Sequence, residues 1–289
     1  MIRSIAPLAA AAFALAACDG NPFGAGGPTP PTPPSDDPEI AARLRQNVAG
    51  AAFDPATGTL RVDLRSLDGT PVSATYARTP ALDTNGFLAY TAQETSSQRL
   101  FLALVRRGAA GATEALTVAD GGQFANSFGG GTYQRLGAFT MPGSGLASYS
   151  GGYVGLLNTG ATVPGPGPGF DPQQSFRVTG EMLLNADFNA GNAAVNGAVR
   201  NRQVVETGAA LPDVFLWVAE VNPDGRFQGS VRLTPSEIVG DYGGTFGGLG
   251  ASEVAGVMVF NPIPGERDLR EHGAFVLPRC APGDPPPCP

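Results

Sequence analysis

The stretch "GDYGGTFGGLGASEVAGVMVF", Gly240 to Phe260, holds seven glycines in its first seventeen residues and then runs into an apolar, strand-like segment. A phosphate-cradling loop would need Gly-x-Gly-x-x-Gly between a strand and a helix, or a P-loop lysine. Neither is here, and the chain contains no lysine at all. A flexible linker would not place Tyr242, Gly244, Phe246 and Gly248 alternately on one face. Period two is the mark of a strand with one side buried, and small residues beside large aromatics suit the inside of a narrow barrel.

The surrounding sequence keeps that period. In "SFRVTGEMLLNADF", Phe176, Val178, Met182, Leu184, Ala186 and Phe188 alternate with polar neighbours. "LASYSGGYVGLL" puts Tyr149, Gly151, Tyr153 and Gly155 on one face. "NAAVNGAVRNR", "VFLWVAEV", "RFQGSVRL" and "GAFVLPR" supply further strands, joined by turn signals such as "NPDG". With the two strands of the opening stretch this makes eight, which is what a closed antiparallel up-and-down barrel requires over 141–279. Upstream, "LRVDLR", "PVSATYAR", "FLAYTAQ", "RLFLALVRR" and "TEALTVA" predict a small, mainly antiparallel sheet domain within 38–140. Its boundary is placed in or just after "DGGQFANSFGGGTYQRLG". A short helix is expected at its start, where Ile40, Leu44 and Val48 recur at helical spacing and Gly50 follows. The fold class is therefore all-β.

The N-terminus reads as an export signal. Arg3 precedes a short apolar run, and "LAAC" closes it at Cys18, resembling a bacterial lipobox in which that cysteine is diacylated. The plain alternative is an ordinary signal peptide with a chance cysteine. Residues 1–17 are then the signal peptide, and 18–37, "CDGNPFGAGGPTPPTPPSDD", a Pro/Gly-rich tether off the membrane. Cys280 and Cys288 remain and are expected to close a disulfide in the Pro-rich tail 280–289. A net charge of −7 argues against nucleic acid as a partner. No cofactor or metal set is legible.

At the opening stretch the chain resembles the C-terminal barrel of transferrin-binding protein B-like surface lipoproteins. Gly244, Phe246, Gly248, Ala251, Glu253 and Gly256 fall in step with the hallmark of that barrel, while Gly247 stands where the family often has an aromatic. "GSGLASYSGGYVG", "LNADFNAGNAAVNGAV" and "GAFVLPR" resemble its first strand, second hairpin and last strand. The resemblance implies a barrel with a β-rich handle domain and a lipid anchor in the outer membrane, exposed at the cell surface. It also implies a non-enzymatic binding role, with an iron-carrier protein, haem or another host or environmental protein as ligand and a surface-lipoprotein translocator as a further partner. A structural or assembly lipoprotein of the outer membrane is the alternative. Asp19 after the lipidated cysteine resembles an inner-membrane retention signal, the alternative location.

The connections "NTGATVPGPGPGFDPQQ", "VETGAALPD" and "NPIPGERDLREHG" are longer than hairpins need, so ligand contacts are sought there. The third supplies the candidate ligand residues Glu266, Arg267, Asp268, Arg270 and His272. His272, the sole histidine, is expected in a solvated loop, where a haem or metal contact is the sharper reading. Arg200, Arg202, Arg226 and Arg232 are predicted on the outer barrel face. Phe215 and Trp217 make both faces of "VFLWVAEV" apolar, which predicts cover by the handle sheet, with an exposed partner site as the rival. No Gly-x-Ser-x-Gly elbow occurs, and nothing favours carboxylate catalysis.

Overall fold

A computed structural model describes residues 40–65, 69–93, 99–120, 127–159, 175–189, 191–263, 269–284 and 288. The signal, Cys18 and the tether lie outside them, as do Glu266, Arg267 and Asp268. The chain is almost wholly β. A helix of one turn, α1 (Ala42–Arg45), precedes β1 (Val48–Asp54), β2 (Thr59–Arg65), β3 (Pro71–Arg78), β4 (Leu88–Ala92), β5 (Phe101–Arg107), β6 (Thr113–Asp120) and β7 (Gly129–Arg135). These seven form one antiparallel sheet in chain order. Eight more strands follow: β8 (Leu146–Thr159), β9 (Phe176–Asp187), β10 (Ala194–Val204), β11 (Val214–Glu220), β12 (Arg226–Thr234), β13 (Glu237–Gly247), β14 (Glu253–Phe260) and β15 (Leu269–Pro278). They pair antiparallel around a closed barrel.

Two local expectations need correction. The helix ends at Arg45 and Val48 already opens β1, because Gln46 takes a positive φ of 50° and turns the chain into the sheet. The glycine-rich "GGGTYQR", read as boundary sequence, is strand β7. The first sheet also curls until its edges nearly meet. The Asn47 N–H donates to the Gly129 carbonyl at 3.0 Å, and the Gly129 N–H donates to Asn47 Oδ1 at 3.2 Å.

Three apolar layers result. The barrel interior is filled by inward residues of all eight strands, centred on Phe246 with ring centroids of Tyr149 at 5.3 Å, Phe188 at 5.1 Å and Phe227 at 5.3 Å. The concave face of the first sheet encloses Phe53, Leu60, Tyr90, Val105 and Leu116. Between them, outward Val154, Leu156, Ala255, Val257, Ala274 and Val276 of the barrel meet Ala89, Leu104, Ala115, Ala119 and Tyr133 of the sheet. Strand β14 is consequently buried at every position.

The glycines of the opening stretch serve both faces of the wall. Inside, Gly244 stands opposite Phe227 in the ladder, Gly229 opposite Tyr242 and Gly256 opposite Phe275. Each aromatic ring lies over the bare backbone opposite it, where a Cβ would collide. Outside, a Cβ on Gly247 would come within 2.5 Å of Thr113 Cγ2 and 2.6 Å of the Ala112 carbonyl, and one on Gly243 within 2.6 Å of Leu44 Cδ1. The missing side chains let the first sheet and α1 lie directly on the barrel. Gly248 does not line the interior: it starts the β13–β14 turn, with φ +77° and its Cβ direction blocked by Ser252 and Ala112. Gly244→Ala is expected to destabilise the chain by about 1–3 kcal/mol, the range for overpacking a filled core. The new methyl would meet Phe227 Cζ and the Ala255 carbonyl, both at 2.6 Å, and the carbonyl belongs to the ladder itself. A lowered urea midpoint with an unchanged slope would show it.

At the C-terminus, Cys280 and Cys288 are disulfide-bonded, with Cα atoms 5.7 Å apart. The Cys280 N–H also donates to the Ser148 carbonyl at 2.8 Å, which ties the tail to the start of β8.

Candidate binding surface

Because the first sheet covers β14, β15 and part of β8, the opposite wall of the barrel, β9 to β12 with the start of β13, is uncovered. Register fixes which side chains share its surface. Leu183, Ala198, Phe215, Arg232 and Ile238 stand in one row across five strands. Trp217 and Val218 follow on β11, where a register shift between Val195 and Gly197 brings both outward. Among the described residues the expected cover over Phe215 and Trp217 is therefore absent. Phe215 is 40%, Trp217 44%, Val218 59% and Ile238 61% exposed. The Arg232 guanidinium lies 4.1 Å from the Trp217 ring centroid and donates to the Pro235 carbonyl. It stacks on the indole and holds the strip's one aromatic-cation pair in place.

The four arginines predicted on the outer face divide. Arg200 is exposed, and Arg226 and Arg232 are half-buried on that face. Arg202 is inside the barrel. Asn201 takes φ 52° where the β9–β10 register shifts between Arg200 and Gln203, and this bulge reverses the alternation. Asparagine tolerates that conformation better than most residues. Arg202 is 2% exposed, ion-pairs with the fully buried Glu271, donates to the Pro212 carbonyl and faces the Phe260 ring at 5.0 Å. Tyr153 donates to the other Glu271 oxygen at 2.7 Å. Burial, with Glu271 beside it, holds the Tyr153 phenol protonated far above its usual range.

Antiparallel up-and-down topology places alternate connections at the same end. The strand ends that the β8–β9, β10–β11, β12–β13 and β14–β15 connections join thus lie at one end of the barrel. Most of the first and part of the third of the long segments singled out in the sequence lie outside the described residues. Of the candidate residues in the third, Arg270 and His272 are described, and both belong to β15. Arg270 is exposed. His272 is not in a solvated loop: it is 5% exposed, packed between barrel and first sheet where Gly129 leaves room for its ring, and the Thr117 hydroxyl donates to its carbonyl at 2.8 Å. Burial, with Arg270 nearby, pushes its imidazole down to about 3, so it stays neutral. The described residues hold no group of three His, Cys, Asp or Glu able to bind a metal.

The first sheet reaches the same end. Asn158 of β8 donates to the Phe128 carbonyl at 3.1 Å, and beside it the buried Asp120 accepts from the Phe128 N–H at 2.6 Å and from Arg99 at 2.8 Å. Burial pushes the Asp120 carboxyl up to about 7 against those two donors, which favour its anion. The folded chain then holds a proton that the unfolded chain, with its ordinary value of 3.8, releases earlier. Stability from this group is full below about pH 4 and declines to a plateau near pH 7. Urea midpoints measured against pH should show that decline, and Asp120→Asn should flatten it.

The outward residues Arg177, Glu181, Asn185, Asn196, Arg200 and Gln228 give no continuous apolar band of the kind a lipid-facing barrel presents. Among the described residues no helix is long and apolar enough to cross a membrane.

No family model and no curated protein matches the chain. Among solved structures it is similar to transferrin binding protein B of Haemophilus parasuis Hp5, seen in a double-mutant and a single-mutant form. The first is 10% identical over 79% of this chain and 52% of that one, with a TM-score of 0.42. The second is 11% identical over 80% and 54%, with a TM-score of 0.40. It is also similar to HpuA from Kingella denitrificans, in complex with human haemoglobin, at 12% identity over 86% of this chain and 95% of that one, with a TM-score of 0.36. The chain spans about half the length of the two transferrin-binding proteins.

Proposed function

We propose that the chain is a non-enzymatic, lipid-anchored protein of the bacterial outer membrane that captures a protein ligand at the cell surface. The observation that carries this reading is the strip Phe215, Trp217, Val218 and Ile238, exposed on the one broad wall of the barrel that the first sheet leaves uncovered. Large exposed apolar groups gathered on one face mark interaction sites, and tryptophan is over-represented among residues that dominate binding energy. The lipobox-like ending at Cys18 and the hallmark glycines support the anchor and the barrel. An iron-carrier protein or haem is the ligand class that the sequence resemblance favours, delivered to the surface by a lipoprotein translocator.

Two measurements test this reading. Protease applied to intact cells should cut the barrel; cleavage only after the outer membrane is breached would remove the surface receptor. The mature chain, immobilised and offered haem, iron-carrier proteins and haem-carrier proteins in turn, should retain at least one of them. Retention of none would favour the structural or assembly lipoprotein.

A further inference from the structure

The charges around the aromatic strip say what kind of protein it fits; this inference rests on the binding role just proposed. Along β11 the strip has an acid at each end. Asp213 precedes Val214 on the outward parity of Phe215 and Trp217, and Glu220 closes the strand. Both are exposed. The neighbouring strands repeat the arrangement. Glu237 adjoins Ile238 at the Asp213 end, and Asp187 stands opposite Ala194, which in turn stands opposite Glu220, at the other.

Two of the three bases nearby are already engaged, and the third, Arg200, is exposed. Arg200 lies opposite Glu181 in the ladder, Arg226 pairs with Asp224 at 2.7 Å, and Arg232 is stacked on Trp217. Asp241, on the first-sheet side, is likewise taken by Arg43 at 3.1 Å. Four carboxylates, those of Asp187, Asp213, Glu220 and Glu237, therefore flank an apolar centre. The whole chain is acidic as well, with a net charge of −7.

We infer that this strip is the docking site of a cationic protein surface, one with an apolar centre flanked at both ends by lysines or arginines. Charge complementarity selects this occupant. A second copy would bring carboxylates against carboxylates, and anionic lipid headgroups would meet the same repulsion; like charges brought together at an interface are penalised. A cationic rim gains on both counts, since it neutralises the carboxylates while its centre covers the indole and the Phe215 ring.

Trp217 is the only tryptophan in the chain, so its fluorescence reports on this strip alone. The test uses the full mature chain with Cys18→Ser to keep it in solution. It is titrated with three end-blocked peptides of alternating leucine and, respectively, lysine, glutamate or glutamine, and with vesicles of phosphatidylcholine and phosphatidylglycerol. The lysine peptide is expected to shift Trp217 emission to the blue and to bind about tenfold more tightly than the glutamine peptide at low salt, the advantage fading as salt screens the carboxylates. Glu220→Lys with Glu237→Lys, two surface changes, should abolish that advantage, and Phe215→Ala should weaken all binding. Equal binding of the three peptides would overturn the cationic partner while leaving an apolar docking strip. A blue shift with vesicles, or with protein concentration alone, would replace the partner by a membrane or a second copy. No response to any peptide would sink the inference, while the retention assay on carrier proteins still decides the receptor reading separately.

Discussion

Glu253→Ala is expected to destabilise the folded chain by about 4 kcal/mol, the sum expected from several buried donors left without an acceptor. Glu253 is 2% exposed and opens β14, yet its carboxylate leaves the barrel to hold the turn between β5 and β6. It accepts from the N–H groups of Ala110 at 2.6 Å, Ala112 at 3.0 Å and Thr113 at 3.1 Å, and from the Thr113 hydroxyl at 3.3 Å. Three backbone donors thus depend on one side chain, and water cannot replace it without opening the seam beneath Gly247. Glu253→Gln keeps one acceptor oxygen but turns an amide N–H₂ toward donors, so an intermediate loss is expected. Urea unfolding would measure both, and hydrogen exchange should show the amides of Ala112 and Thr113 losing protection. A midpoint unchanged in the alanine variant would refute the clamp.

The second large effect lies inside the barrel. Glu271→Ala should cost about 3–5 kcal/mol, because it leaves the Arg202 guanidinium buried without its counter-charge. Tyr153 loses its acceptor at the same time. Replacing both partners by apolar residues of similar volume, Arg202→Met with Glu271→Leu, should recover most of that loss, since no charge is then left to desolvate. About 1–3 kcal/mol remains for the buried Tyr153 hydroxyl without its acceptor. A double-mutant cycle by chemical denaturation would show this as strong coupling. Additive losses would mean that the pair is not a closed unit. The double variant should also lose the Arg202 bond to the Pro212 carbonyl, so faster amide exchange at Leu211, whose N–H donates to the Arg202 carbonyl, is expected even where global stability recovers.

How far the sequence carries to these sites depends on what each residue's neighbours in the chain encode. The barrel was legible because alternation is local: Tyr242, Phe246, Tyr149 and Tyr153 point inward by parity alone. Parity failed at Arg202, where a single bulge at Asn201 reversed it, and a bulge leaves only a weak mark in composition. It failed differently at Trp217. Both β11 and β14 read as apolar on both faces, yet one is exposed and the other buried. Most outward residues of the covered wall are small (Ala255, Val257, Ala274, Val276, with Gly243 and Gly247), as sheets stacked about 10 Å apart favour. Leu156 and His272 are the larger exceptions. Phe215 and Trp217 are too bulky for that packing. Side-chain size on the outward parity, rather than hydrophobicity, was the signal that separates a covered strand from an exposed one.

The sequence by itself determined the period, the number of barrel strands and the inward aromatics with Gly244 between them, because all of these follow from steric and solvation preferences a few residues long. Only the tertiary structure decided which wall the first sheet covers, and with it the burial of His272, the exposure of Trp217 and the reach of Glu253 to the turn at Ala110. Those outcomes depend on two surfaces meeting across more than a hundred residues of chain, and no short-range pattern records which surfaces will meet. The glycines of Gly240 to Gly248 belong to both: their alternation announces the barrel, and the bare outer face at Gly243 and Gly247 acquires its purpose only when the first sheet lies down on it.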